Sequence, residues 1–177
     1  MILEYILLSI IVICLLIIWY ASIYNRYQIN IIRINEAEAN IDATLRKRFD
    51  LLNKSINVII NNTEEKKPLD IIIKLRSKKL NNFDLDRELY TALNEFYNYV
   101  EKYPSLKSNE LFMNISFGLA ETESEIVAFR KYYNDIITDY NKMVKTFPSN
   151  FVGMCSKYKV KTYFDGKDNS KNDNVKL

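Results

Sequence analysis

The sequence predicts an all-α protein: an N-terminal transmembrane helix followed by an elongated antiparallel helical bundle of three to four long helices. Three observations carry that expectation. From Tyr5 to Tyr24 twenty residues pass without a charge, most of them Ile, Leu and Val. Beyond this run apolar residues return again and again at gaps of three and four, the spacing of one face of an α-helix. Only three Gly and three Pro interrupt the 177 residues, which leaves room for long unbroken helices.

The apolar run spans roughly 30 Å at helical rise, the thickness of a bilayer's hydrocarbon core. Backbone in lipid has to satisfy its own hydrogen bonds, so the run is read as a helix. Trp19, Tyr20 and Tyr24 gather at its C-terminal end and Tyr5 at the other, where amphipathic rings suit the headgroup level. A cleaved signal peptide would carry a basic leader, a short apolar core and a small-residue cleavage site. Here Glu4 is the sole charge ahead of the run and Ala21-Ser22 is a poor site, so residues 1–25 are expected to stay as an anchor. A buried core helix would need a protein larger than this chain around it. Arg26 and Arg33, then Arg46, Lys47 and Arg48, follow the run. This basic bias predicts a single-pass protein of the cell membrane, N-terminus outside and C-terminal domain cytoplasmic.

In the next segment Ile34, Ala37, Ile41, Leu45, Phe49, Leu52, Ile56 and Ile59 form one apolar stripe. No Pro or Gly separates it from the membrane run, so the anchor is expected to continue as one helix to about Asn62. Pro68 and Asp70 suit the first turn of a new helix, with Ile71, Ile72 and Leu75 as its apolar face. Asn81-Asn82 reads as a turn or helix break, the alternative being one bent helix over 68–102. Leu85, Leu89, Ala92, Leu93, Phe96 and Val100 make the next stripe, ended at Tyr103-Pro104-Ser105. The last long helix is expected to begin at Ser108 or Asn109, both suitable caps, and to end before Phe147-Pro148-Ser149-Asn150. Its stripe is Phe112, Ile115, Leu119, Thr122, Ile126, Phe129, Tyr133, Ile136, Tyr140 and Val144. Residues 151–164 are expected to dock on the bundle, partly as a short helix or extended segment, and 165–177 to form a disordered polar tail. Striped helices joined by short connections hide their apolar faces by running back along one another.

Residue content narrows the chemistry. Histidine is absent, which removes His-based acid-base catalysis, His-containing triads and imidazole metal ligands. Cys14 and Cys155 form neither a disulfide framework nor a thiolate metal site. Glu121, Glu123 and Glu125 point around a helix rather than converging, and no Glu-x-x-His element or glycine-rich phosphate loop exists. No enzymatic activity, cofactor or metal is therefore expected. A formal net charge of +3 suits an anionic membrane surface and is too small for a nucleic-acid partner. Residues 5–24 make the bilayer itself one partner, and the long stripes point to an unknown protein partner or to self-association.

Two constellations qualify as sites. Tyr133-Asn134 and Tyr140-Asn141 repeat seven residues apart on nearly one helix face. They read as a polar-aromatic surface for a partner or ligand, or as tyrosines in a helix seam with asparagines bonding across it. Arg130 flanks the same stripe. It reads as an anion or carboxylate receptor, or as half of an inter-helix ion pair, with Asp50 as the expected carboxylate and Glu38, Glu121 and Glu123 as other possible partners. The basic cluster Arg46-Lys47-Arg48 reads as a solvated face laced by pairs such as Asp42-Arg46 and Arg46-Asp50.

Several short pieces, in order and at consistent separations, carry a family resemblance. They are Tyr24-Asn25, Glu36-Ala37, the run Leu45 to Leu52, Arg76, Tyr103 to Asn109, Thr122-Glu123, Arg130, Tyr133-Asn134, Tyr140-Asn141, Phe147 to Asn150 and Phe164. Together they resemble the LemA family over roughly residues 24–164, giving an anchor over 1–25 and a LemA-like bundle over 26–164. Asn53-Lys54 stands where the family usually has a proline-asparagine pair, and Thr63-Glu64 where it usually has a histidine before a glutamate. The resemblance implies a membrane-anchored helical bundle facing the cytoplasm and hints at membrane organisation. It implies no reaction. The expected function is a membrane-anchored interaction or scaffold protein. The alternative is a signalling or stress-regulatory component that senses a ligand through an inter-helix pocket.

Overall fold

The computed structural model describes residues 2–64, 67–75 and 80–164. Arg76 and the polar tail expected from residue 165 lie outside the described residues. The fold is all-α, an N-terminal apolar helix followed by a bundle of several long helices. Its elements are α1 (Ile2–Asn62), α2 (Asp70–Leu75), α3 (Asn82–Lys102), a 3-10 turn (Pro104–Ser108), α4 (Glu110–Lys145) and α5 (Ser149–Cys155).

The expected continuity of the first helix is found: α1 runs 61 residues through the apolar stretch and on into the bundle. Its sequence holds no Gly or Pro to break the ladder. Only 6% of its most apolar window is buried, unlike a core helix. Further along, Tyr27, Ile34, Ile41, Arg48 and Ser55 stand seven residues apart, each with 0–1% of its surface exposed. Seven residues are close to two helical turns, so these side chains form one buried row.

The two boundaries around Asn81 and Asn109 follow from capping. The Asn81 side chain accepts from the Asp84 backbone N–H, so α2 and α3 are separate helices and not one bent helix. Asn109 caps α4 in the same way, accepting from the Phe112 N–H at 3.0 Å. Residues 151–155 lie in α5, and an extended segment follows to Phe164.

The contacts gather into two compact units. The first holds residues 2–37 and 132–163. Its core joins Ile23, Tyr27 and Ile34 of α1 to Tyr133, Ile136, Ile137 and Tyr140 of α4, with Val152 of α5. Gly153 is required here: a Cβ on it would come within 2.7 Å of the Tyr27 hydroxyl. The second unit holds residues 38–131 and 164. Ile41, Leu45 and Leu52 pack with Leu89, Leu93 and Phe96 of α3 and with Phe112, Leu119 and Ile126 of α4. Phe96 and Phe112 stack at 5.0 Å. Within this unit α1 and α4 are antiparallel: Lys47 reaches Glu121 at 2.8 Å, while Leu51, one turn on, lies over Gly118.

Candidate functional site

The second unit buries a charged cluster built by three helices. The heptad row turns Arg48 inward, and nothing of it is exposed. Its Nη2 donates to Glu123 Oε2 at 2.6 Å and its Nε to Thr122 Oγ1 at 3.3 Å, both on α4. The Thr122 hydroxyl passes its own proton to the Leu119 carbonyl at 2.7 Å, so it can accept from Arg48. Asp86 of α3, 3% exposed, stands 3.8 Å from Arg48 Nη1 and takes a charge-assisted bond from Arg130 Nη2. The Arg130 guanidinium lies 5.4 Å from the centre of the Phe164 ring, which stacks on Phe83 at 4.4 Å.

Burial sets the electrostatics. It pushes the Arg48 guanidinium below the usual arginine range, while Glu123 and Asp86 pull it back up. It also holds the Asp86 carboxyl above the usual carboxylate range, against the pull of Arg130 and Arg48. Arg48 Nη1, Asp86 Oδ1 and Arg130 Nε have no hydrogen-bond partner among the described residues. The cluster thus holds both signs of charge with geometry left over for one more polar contact.

The expected pairing of Arg130 with Asp50 is corrected. Arg130 takes Asp86, and Asp50 is exposed. Asp50 follows Phe49 on α1, a position turned to solvent, whereas Asp86 sits three residues before Leu89 on the buried face of α3. The solvated reading of Arg46-Lys47-Arg48 is also corrected for Arg48. Arg46 does pair with Asp42 at 2.8 Å, and Lys47 crosses to Glu121 and Glu125. Neither Arg48 nor Asp86 was expected inside. The seven-residue recurrence from Tyr27 through Ile41 is the available signal for Arg48, and it is masked by Phe49, the apolar neighbour whose spacing from Leu45 and Leu52 continues the stripe.

Arg130 falls in the second unit and the tyrosine-asparagine repeat in the first. Tyr133 and Tyr140 are buried, Asn134 half-buried. The Tyr140 ring meets the Tyr27 ring edge-on at 5.9 Å, and Tyr27 donates to the Met143 carbonyl at 2.6 Å. Asn141 is satisfied twice by one residue: its Nδ2 donates to the Lys161 carbonyl and its Oδ1 accepts from the Lys161 N–H, each at 2.8 Å. It pins the extended C-terminal segment to α4. Tyr158, on that segment, accepts from Gln28 at 2.6 Å and packs its ring 4.7 Å from Tyr27. Burial raises the Tyr27 and Tyr140 hydroxyls above the usual tyrosine value. Among the described residues no group of three or more His, Cys, Asp or Glu is placed to hold a metal ion.

An apolar helix exposed along one end, continued into a bundle with polar groups bonded inside it, defines a membrane-associated, all-helical protein. Among the described residues it shows no evident catalytic or metal-binding feature. The chain belongs to the LemA family, whose model matches residues 37–177. It is similar to Protein LemA of Metamycoplasma hominis, 31% identical over 128 residues. That alignment covers 67% of this chain and 58% of the relative, so the chain spans less than two thirds of the relative's length.

Proposed function

We propose that the chain is a membrane-tethered interaction protein without catalytic activity, its bundle on the cytoplasmic side offering helical surface to a protein partner or to further copies of itself. The observation that carries this reading is how the polar groups are used. Arg48, Asp86, Arg130 and Glu123 bond to one another, and Asn141 spends both its groups on Lys161. Among the charged side chains it turns to solvent, α4 also exposes large apolar ones: Phe117 is 68% exposed and Val127 56%. Isolated exposed apolar residues are ordinary, but large ones on a long helix supply contact area. Photo-crosslinkers placed at Phe117 and Val127 in native membranes test the proposal. Discrete adducts from either position are expected. A chain that forms none at either position and sediments as a strict monomer in detergent defeats it.

A second reading, ligand sensing between helices, is favoured by the three unbonded polar atoms of the buried cluster. A guanidinium N–H and a carboxylate oxygen there each retain capacity for a polar contact. Its test is ligand-dependent protection of the Arg48–Asp86 region in hydrogen exchange.

A further inference from the structure

The first unit contains an open cleft of 760 Å³ between α1 and the α4–α5 connection. Among its lining residues are Trp19, Arg26, Arg33, Asp139, Lys142 and Phe147. Arg26 and Arg33 are seven residues apart, so one face of α1 turns both toward the cleft. Neither has an ion-pair partner among the described residues, whereas Lys142 stands 3.6 Å from Asp139. The floor is therefore positive overall, with one carboxylate.

The level of this cleft along α1 gives it meaning. Trp19 belongs to the aromatic end of the apolar run. By helical rise Arg26 lies about 3 Å beyond Tyr24 and Arg33 about 13 Å beyond it. The headgroup layer occupies roughly the first 5–8 Å outside the hydrocarbon core. The cleft thus opens from the acyl boundary through the phosphate level to just above the headgroup layer, from where the long Arg33 side chain reaches back toward it. Phe147, which lines the cleft, and two side chains of α5 beyond its lining agree with that placement. Phe147 is 84% exposed, Phe151 52% and Met154 71%, and they recur at gaps of four and three on the α5 side. Tyr27 fixes this turn against α1, since its hydroxyl donates to Met143 and Gly153 fits beneath it. Three large apolar side chains held at the level of Tyr27 suit the interface better than water.

We infer that this cleft binds one anionic glycerophospholipid, its phosphate on Arg26, its headgroup hydroxyls toward Arg33 and Asp139, and its acyl chains beside Trp19 and Phe147. The inference rests on the anchoring of α1 in a bilayer and adds a lipid preference to it. Free phosphate shares the anionic chemistry but leaves the apolar mouth unexplained.

Trp19 is the chain's sole tryptophan, which makes the test direct. The full chain is reconstituted in vesicles of phosphatidylcholine with phosphatidylglycerol, one lipid at a time carrying brominated acyl chains that quench Trp19. Brominated phosphatidylglycerol is expected to quench as if enriched about fivefold over its bulk fraction, and to persist in 0.5 M salt. Arg26→Gln with Arg33→Gln should bring that enrichment close to one while quenching by brominated phosphatidylcholine rises to match its bulk fraction. Arg46→Gln, an exposed arginine further along α1, should leave it intact. Quenching that follows bulk fraction in the wild type, or an enrichment that survives the double substitution, overturns the inference. So does an equal loss from Arg46→Gln, which would reduce it to general surface charge. An enrichment erased by 10 mM inorganic phosphate assigns the cleft to free phosphate instead of lipid. A Trp19 that brominated phosphatidylcholine does not quench at all removes the anchor, and the lipid site with it.

Discussion

The two units solve the same problem with different groups. Each contains a polar side chain delivered inward by one heptad row of α1, Tyr27 in the first and Arg48 in the second. The first unit answers Tyr27 with neutral partners: a backbone carbonyl and aromatic edges, with the neutral Asn141 nearby closing on Lys161. The second answers Arg48 with carboxylates and a second arginine, and leaves three atoms without a hydrogen bond. A neutral hydroxyl is desolvated at small cost and is satisfied by one acceptor. A buried guanidinium has five donors and a charge to answer. The first core therefore depends on shape and the second on charge balance, and substitutions should separate them.

The largest effect is expected from Asp86→Leu. It leaves Arg48 and Arg130 facing each other without the carboxylate between them, a loss of about 3–5 kcal/mol. The combined change Arg48→Met with Asp86→Leu should restore part of that, because it removes the more deeply buried of the two arginines that lose Asp86. Chemical denaturation of the full chain in detergent, followed by circular dichroism, measures both. A double variant no more stable than Asp86→Leu would mean that packing, and not charge balance, governs this core.

Gly153→Ala probes shape in the other core. The added methyl meets the Tyr27 hydroxyl, and the strain is expected to cost about 1–3 kcal/mol. Tyr27→Phe in the same chain takes away the clashing oxygen and should recover much of the loss. If the pair of changes is simply additive in the same denaturation assay, Tyr27 is not what Gly153 accommodates.

Asn141→Ala should destabilise by about 1–2 kcal/mol and act locally. Hydrogen exchange is expected to rise at Lys161, whose N–H loses its acceptor, and not in α3. A smaller and pH-linked effect follows from Tyr27. Burial raises its folded-state value above the usual tyrosine value of 10.0. The folded chain keeps a proton that the unfolded chain releases above pH 10, so this contribution is full below pH 10 and declines as pH climbs through the raised value. Absorbance at 295 nm should show a late-ionising tyrosine that Tyr27→Phe removes. The smallest effect is expected from Arg46→Gln, which breaks an exposed i,i+4 pair with Asp42 and should shift stability by no more than about 0.5 kcal/mol.

Much of the architecture could be read along the chain because it is local. An unbroken uncharged run, stripes at gaps of three and four, a break at Asn81-Asn82 and a cap at Ser108 or Asn109 each depend on residues within a turn or two of one another. Leu89, Phe96, Phe112, Leu119 and Ile126 are buried where their stripes put them. The family could be read for a related reason: many weak pieces in fixed order add up. The site could not. Arg48 looks like the third member of a basic surface cluster, and Asp86 like any acid in the charged start of a helix. A charge is placed inside only when partners from distant segments arrive to meet it, here Glu123 and Asp86, 75 and 38 positions away.

Along the chain alone one reads that this protein is helical, where its long apolar stripes run, and that one end is too apolar for water. Those properties follow from hydrogen bonds and side-chain spacing within single segments. Tertiary structure alone decided which carboxylate faces Arg130, that Asn141 holds the C-terminal segment, and that Arg26 and Arg33 border a cleft with Phe147. Each depends on which helix faces are brought together. Heptad spacing restricts that choice to a face, and only packing selects the partner across from it.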